Sequence, residues 1–191
     1  MRIVIIQGHP DRAGHFCHAL AEAYAAGARD NGHEVRLVAA AELDLPFLRS
    51  QQEWEHGQAL PAVGEVQHSL AWAEHWLVVT PVWLGDMPAM LKGFLEQVLR
   101  PGFAFTYPKA GLPKPKLGGR SARIVATVGM PAVIFRWWFG SGGISVLARN
   151  ILGFVGLSPV RTTLIGTMGE MPPARASAWL ARLAALGRRG D

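Results

Sequence analysis

The chain opens on a run that is apolar and β-branched at every position, Ile3-Val4-Ile5-Ile6, and the run stops at Gln7-Gly8-His9-Pro10-Asp11. Such a run needs cover on both faces, which is the situation of a central strand in a parallel sheet. Gly8 and Pro10 break regular structure. From about Gly14 to Asp30, Phe16, Ala19, Leu20, Ala23 and Tyr24 recur at helical spacing, and Asn31-Gly32 stops the helix. A strand, a short polar loop and a helix start place free N–H groups and the positive helix end over the strand's carboxyl end. Open α/β sheets hold phosphorylated ligands there. The loop has neither G-x-G-x-x-G nor a Walker lysine, so it is not a dinucleotide fingerprint or a P-loop.

The rest of the chain repeats this alternation. His33–Val38 alternates polar and apolar, as a strand at a sheet edge does. Trp76–Pro81, Ala122–Thr127 and Val160–Ile165 are three further strand-like runs. Helical patterns cover Val63–Glu74, Ala89–Leu99, Ile144–Phe154 and Pro172–Leu186, with Pro88 placed as a first helical residue. Leu43–Ala62 reads as an irregular excursion with room for a short helix, and Pro108–Gly119 as a loop. The expectation is an α/β fold: a flavodoxin-like, doubly wound, five-stranded parallel sheet of order 2-1-3-4-5, helices on both faces. No internal repeat or second core is visible, so residues 1–191 read as one domain.

Composition narrows the function. Half the residues are hydrophobic and only 17% are charged, which excludes a disordered chain. The net charge of +5 gathers at Lys109, Lys114, Lys116, Arg120 and Arg123 and at Arg182, Arg188 and Arg189, but no nucleic-acid motif accompanies these clusters. Cys17 is the only cysteine, so neither an internal disulfide nor a cysteine zinc cluster is available, and no metal site is expected. The N-terminus runs straight into a strand, with no signal-peptide pattern. No apolar run reaches the ~20 residues of a transmembrane segment. The expected location is cytoplasmic.

Three loops leave the carboxyl ends of the central strands: Gly8–His15, Pro81–Met87 and Thr127–Pro131. They converge in this topology. The first offers an anion-binding helix end, the second main-chain amides beside Trp83, the third a Thr-x-Gly turn. A flat, polar-edged ring bearing a phosphate fits the set, and a flavin is such a ligand.

The motifs are specific: GHPDRAGHFCHAL at Gly8–Leu20, TPVWLGDMPAMLKGFLEQVLRPGFAFTY at Thr80–Tyr107 and ATVGMP at Ala126–Pro131. On them the chain resembles the NAD(P)H:quinone oxidoreductase family of flavodoxin-like flavoproteins, relatives of modulator-of-drug-activity and potassium-efflux ancillary flavoproteins. The resemblance implies bound FAD or FMN, NAD(P)H as co-substrate, a quinone or similar acceptor, and a homodimer with the flavin at the subunit interface. It implies a ping-pong relay in which NAD(P)H gives hydride to the flavin and the acceptor then takes it. Carried over by position, His9, Asp11, Arg12, Gly14, His15 and Phe16 hold the phosphate. Pro81, Val82, Trp83 and Leu84 lie against the ring, and Thr127, Val128, Gly129 and Met130 meet its pyrimidine edge. The amides of Trp83, Leu84, Val128 and Gly129 carry the catalytic electrostatics, with no side-chain acid or base.

The chain departs from the family at His15 and Cys17, where Ser or Thr and Asn are usual. It departs again at Phe135 and Ser141, which align with a Tyr and a His of the animal quinone reductases. Cys17 reads as buried, His18 and His33 as structural, Lys92 and Glu96 as a helix-face pair, and Trp137 and Trp138 as core or dimer contacts ahead of a clamp on a quinone. The alternative function is a non-catalytic flavoprotein, a regulatory subunit docked on a membrane transporter through Ile134–Phe139.

Overall fold

The first strand, β1 (Arg2–Gln7), lies at the centre of the sheet and is buried from Ile3 to Gln7. The computed structural model describes residues 1–138 and 140–191. After β1 come α1 (Phe16–Asp30), β2 (Glu34–Ala39), α2 (Gln51–His56), α3 (Pro61–Trp72), β3 (His75–Pro81) and α4 (Ala89–Val98). A two-stranded hairpin follows, β4 (Phe105–Thr106) and β5 (Lys114–Pro115), then β6 (Ser121–Thr127), α5 (Ala132–Trp137) and α6 (Gly142–Ser145). A π-helix (Val146–Gly153), β7 (Val160–Ile165) and α7 (Pro173–Arg189) complete the order.

The main sheet is parallel with order β2-β1-β3-β6-β7, the expected 2-1-3-4-5 once the hairpin strands are set aside. Register pairs Ile5 with Leu37 on one side and Leu77 on the other, and carries Thr127 to Ile165 at the far edge. The pleat splits each apolar run between two cores. Val4, Ile6, Trp76, Val78, Ile124 and Ala126 pack under α3, α4 and the π-helix. Ile3, Ile5, Leu77, Val79 and Val125 pack under α1 and α7. β2, at the edge, is only partly buried, which is why its sequence alternates.

The short helix allowed for in Leu43–Ala62 is α2, whose first turn is closed by Ser50 Oγ accepting from Glu53 N–H at 3.1 Å. Three local readings change. Pro108–Gly119 contains β5, which pairs antiparallel with β4. The helix expected over Ile144–Phe154 is π-wound from Val146. Its buried Leu147 and Leu152 are five apart, one residue too many for an α-helical stripe, and the wider turn brings both to the core. α7 runs on to Arg189 and ends where Gly190 turns left-handed.

α1 and α7 cross at glycines. A Cβ on Gly187 would overlap Tyr24 O and stand 2.9 Å from Ala28 N; one on Gly27 would overlap Ala184 O. The two backbones therefore touch.

Beneath this crossing the sheet buries a polar cluster. Arg123 Nη1 donates to Thr163 Oγ1 at 2.9 Å and Nη2 to Asp191 Oδ1 at 3.1 Å. His75 is fully buried, with Nδ1 2.8 Å from Ser121 Oγ and its ring stacked on Tyr24. Burial, with Arg123 adding to it, brings the His75 pKa down to about 4. The unfolded ring takes its proton near 6.5. The unfolded chain therefore binds more protons between these values, and stability falls as pH drops from about 6.5 to about 4. Wild type is expected to lose about 2 kcal/mol at pH 5 from this group alone. Urea unfolding of wild type against His75→Gln at neutral pH and at pH 5 checks it: the excess acid loss must belong to wild type.

No helix among the described residues is long and apolar enough to cross a membrane.

Candidate functional site

The three expected turns meet at the carboxyl rim of the sheet. Gly8 N–H donates to Val79 O at 2.8 Å, tying the first turn to β3. Val82 N–H donates to Thr127 O at 2.8 Å, tying the second to the third. Cys17 Sγ and Thr127 Oγ1 share a hydrogen bond at 3.2 Å, and the rings of His9 and Trp83 lie edge to face with centroids 6.0 Å apart. Each turn thus touches the other two.

The second turn has its own closure. Trp83 N–H donates to Asp86 O at 2.8 Å and Asp86 N–H to Trp83 O at 3.1 Å. Leu84 (φ +50) and Gly85 (φ +82) both take the left-handed region, the pattern of a type I′ turn. Glycine does this freely; for leucine it costs about 1–2 kcal/mol. The strained Leu84 is fully exposed and Trp83 is half exposed. An apolar shelf at a site mouth, held at a conformational cost, is a feature of ligand clamps. Behind the turn stands Gly143 of α6, where a Cβ would lie 2.5 Å from Asp86 Cα.

An account of the amides sharpens the expected roles. Trp83 N–H is committed to Asp86, and Val128 N–H donates to Ile165 O at 2.9 Å. Neither is free for a ligand. The N–H groups of Leu84, Gly85, Gly129 and Met130 meet no acceptor among the described residues, nor do those of Gly14, Phe16 and Cys17 at the start of α1. Gly129 is exposed, and a Cβ there would meet nothing within 4 Å. The rim therefore offers two donor groups: one at the helix start, one along the paired turns. Pro81 is buried and Val82 half-buried behind them.

The first turn is shaped by its own side chains. His9 is buried, and its Nδ1 accepts from Asp11 N–H at 3.1 Å, which leaves the ring proton on Nε2. Burial, then the neighbouring His15, hold the His9 pKa below the ordinary value, so the ring is neutral. His15 stacks on His9 at 4.1 Å and bonds Asp11 Oδ2 through Nε2 at 2.7 Å. Asp11 Oδ1 also accepts from Ala13 N–H at 2.9 Å; that bond, then His15, lower its pKa. His15 N–H donates to His18 Nδ1 at 3.1 Å, so His18 caps the helix. Arg12 Nε donates to Ala41 O at 2.9 Å, anchoring the turn to the segment after β2.

Cys17 is structural: burial pushes its thiol up to about 11, and its contact is Thr127. His33 bonds Arg188 O through Nε2 at 3.1 Å, and Lys92 pairs with Glu96. Phe135 is buried, and Ser141 is buried with φ +50. Trp137 and Trp138 stand 80% and 83% exposed, so neither belongs to the core. Phe139, the last member of the aromatic cluster, lies outside the described residues. No group of three His, Cys, Asp or Glu among the described residues is arranged to hold a metal. Sequence reasoning missed the Leu84-Gly85 turn; its signal was the Gly85-Asp86 pair.

Comparison with known proteins bears on the fold. The family model described as flavodoxin-like fold matches residues 1–186. The chain belongs to that family. The FMN-dependent NADH:quinone oxidoreductase of Ruegeria pomeroyi is 26% identical over 120 residues, covering 56% of this chain and 58% of that protein. The chain spans about half the length of the curated relatives it matches. Among solved structures, the NAD(P)H:quinone oxidoreductase of Methanothermobacter marburgensis superposes with a TM-score of 0.78 at 24% identity, covering 100% of this chain and 99% of that one. An FMN-dependent NADH-azoreductase of Bacillus anthracis, solved with FMN, gives 0.78 at 14% identity and covers 98% of each chain. At these identities the superpositions speak for the flavodoxin-like fold alone.

Proposed function

We propose that this chain is a flavin-dependent NAD(P)H:quinone oxidoreductase with one FMN per subunit, working by two-electron ping-pong transfer in one pocket. The observation that carries the reading is the pair of unpaired amide groups on a rim where all three turns meet. A helix start with free N–H groups suits a phosphate, and the His9 Nε2–H adds a neutral donor beside it. The paired turns suit the polar edges of a planar ring, with Trp83 and Leu84 against its face. FMN is preferred to FAD because the relatives from Ruegeria pomeroyi and Bradyrhizobium diazoefficiens are FMN-dependent.

A flavin held here supplies two-electron exchange between a nicotinamide and an acceptor. The protein's part is electrostatic and positional. Leu84 and Gly85 on one side, and Gly129 and Met130 on the other, present fixed donors where negative charge grows. Turn strain and the two Trp83–Asp86 bonds keep these donors aimed, and Leu84 shields the ring from water. The chain acts as one cytoplasmic domain and pairs as a homodimer, the partner covering the exposed shelf. A non-catalytic flavoprotein docking on a membrane transporter is the second reading, favoured by the exposed apolar face of α5.

The test is to purify the protein, identify released flavin by mass, and follow NADH and NADPH oxidation with a soluble benzoquinone. Bound FMN and rapid turnover are expected. Gly129→Val, which puts a branched side chain at the open edge, is expected to weaken FMN binding by about 10–100-fold. A protein that takes up no flavin overturns the reading; bound flavin with no turnover selects the second.

A further inference from the structure

The face of α5 is apolar where it meets water. Val133, Ile134, Trp137 and Trp138 are 68%, 48%, 80% and 83% exposed, while Phe135 alone points inward. Positions 133 and 137, and 134 and 138, are each one helical turn apart, so the four form one patch. Exposed Arg136 sits within it. Behind it, a cleft of about 870 Å³ separates α5 from the π-helix and β7, lined by Arg136, Arg149, Ser141 and Thr162 among others. The Ser141 hydroxyl is buried there with no partner among the described residues.

Charge is divided along the chain. Residues 97–169 hold nine Lys and Arg and no Asp or Glu; residues 1–96 hold six Lys and Arg against twelve Asp and Glu. The basic stretch supplies the hairpin, α5, the π-helix and the last two strands on one side of the sheet, β6 and β7. Five of its nine cations bond within the protein: Arg100, Lys116, Arg120, Arg123 and Arg161. Lys109, Lys114, Arg136 and Arg149 are exposed and have no partner among the described residues.

We propose that α5 and the cleft behind it dock this protein on an anionic lipid bilayer. Tryptophan beside aliphatic residues favours the interface between headgroups and acyl chains. Unpaired arginines beside it, on a stretch of chain with no carboxylate of its own, are complementary to anionic headgroups. A second copy is a poorer occupant. A two-fold contact sets the same patch against itself, so it gathers Arg136 and Arg149 of both copies at one interface with no carboxylate of residues 97–169 to balance them. α5 begins directly after the Val128–Pro131 turn. Docking therefore brings the rim to the membrane, and the acceptor is a quinone dissolved in it. That last clause rests on the reductase reading; the docking does not.

The protein as purified, with or without flavin, is sedimented with protein-free vesicles of phosphatidylcholine, alone or mixed with phosphatidylglycerol. Binding is expected to the mixed vesicles only, with release at high salt. Arg136→Glu/Arg149→Glu and Trp137→Ala/Trp138→Ala are each expected to lose about tenfold or more in binding. The tryptophan variant should keep its flavin and its benzoquinone turnover, yet lose oxidation of NADH by a long-chain quinone held in the vesicles. No nicotinamide or quinone enters the sedimentation, so a failed reductase reading leaves it intact. Three results overturn the docking: wild type that ignores mixed vesicles, variants that bind as wild type does, or a dimer that the tryptophan variant dissociates while vesicles are ignored.

Discussion

Alanine at Gly187 is expected to destabilise the protein by about 3 kcal/mol, while the same substitution at Gly64 stabilises it by about 0.5–1 kcal/mol. Both glycines lie inside helices, so helix propensity favours alanine at each by the same amount. The surroundings differ. Nothing lies within 4 Å of a Cβ at Gly64. At Gly187 the new methyl overlaps Tyr24 O, a backbone atom that no rotamer change can move away. α1 and α7 must then separate along a contact that covers Leu183, Leu186 and Tyr24. Urea unfolding of the two variants decides it, and equal effects at both sites would refute the crossing.

Removing the Asp191 carboxylate is expected to cost about as much. Asp191→Ala should lose about 3 kcal/mol, because it strands a buried cation. The Arg123 side chain is 10% exposed, and its partners are Thr163 and Asp191. Asp191 also pairs with Arg161 at 2.9 Å. Its negative charge is what resists the lowering of the His75 pKa. Without it the folded ring is harder still to protonate, an effect confined to pH values below the wild-type value of about 4. Arg123→Met/Asp191→Ala separates the causes: with the cation gone too, most of the loss should return. Thermal unfolding of the three chains at neutral pH reads the loss and its return.

How much of this was legible in the sequence depends on the range of the interaction. Ile3–Ile6 and Trp76–Val79 announced buried parallel strands, because cover on two faces leaves no polar position. The alternation in β2 placed it at the edge for the same reason. The three turns were legible because the topology sends them to one rim. Which amides remain free was not, since Trp83 and Val128 spend theirs on Asp86 and Ile165, and those bonds exist only once the turn and sheet close. Nor was the cluster under the helix crossing legible. His75 and Ser121 look like solvated strand starts, and Asp191 reaches Arg123 from 68 residues away. Trp137 and Trp138 read as core or dimer contacts because large aromatic residues are usually covered; the core half of that reading fails because, in a six-residue helix, Phe135 fills the inward position.

The seat of Gly143 against Asp86 has a mechanical consequence. With no room for even a methyl group between them, α6 and the loop bearing Leu84 cannot slide independently. A displacement of α6 is therefore passed to the turn that carries Leu84, and the exposed shelf answers to two elements instead of one.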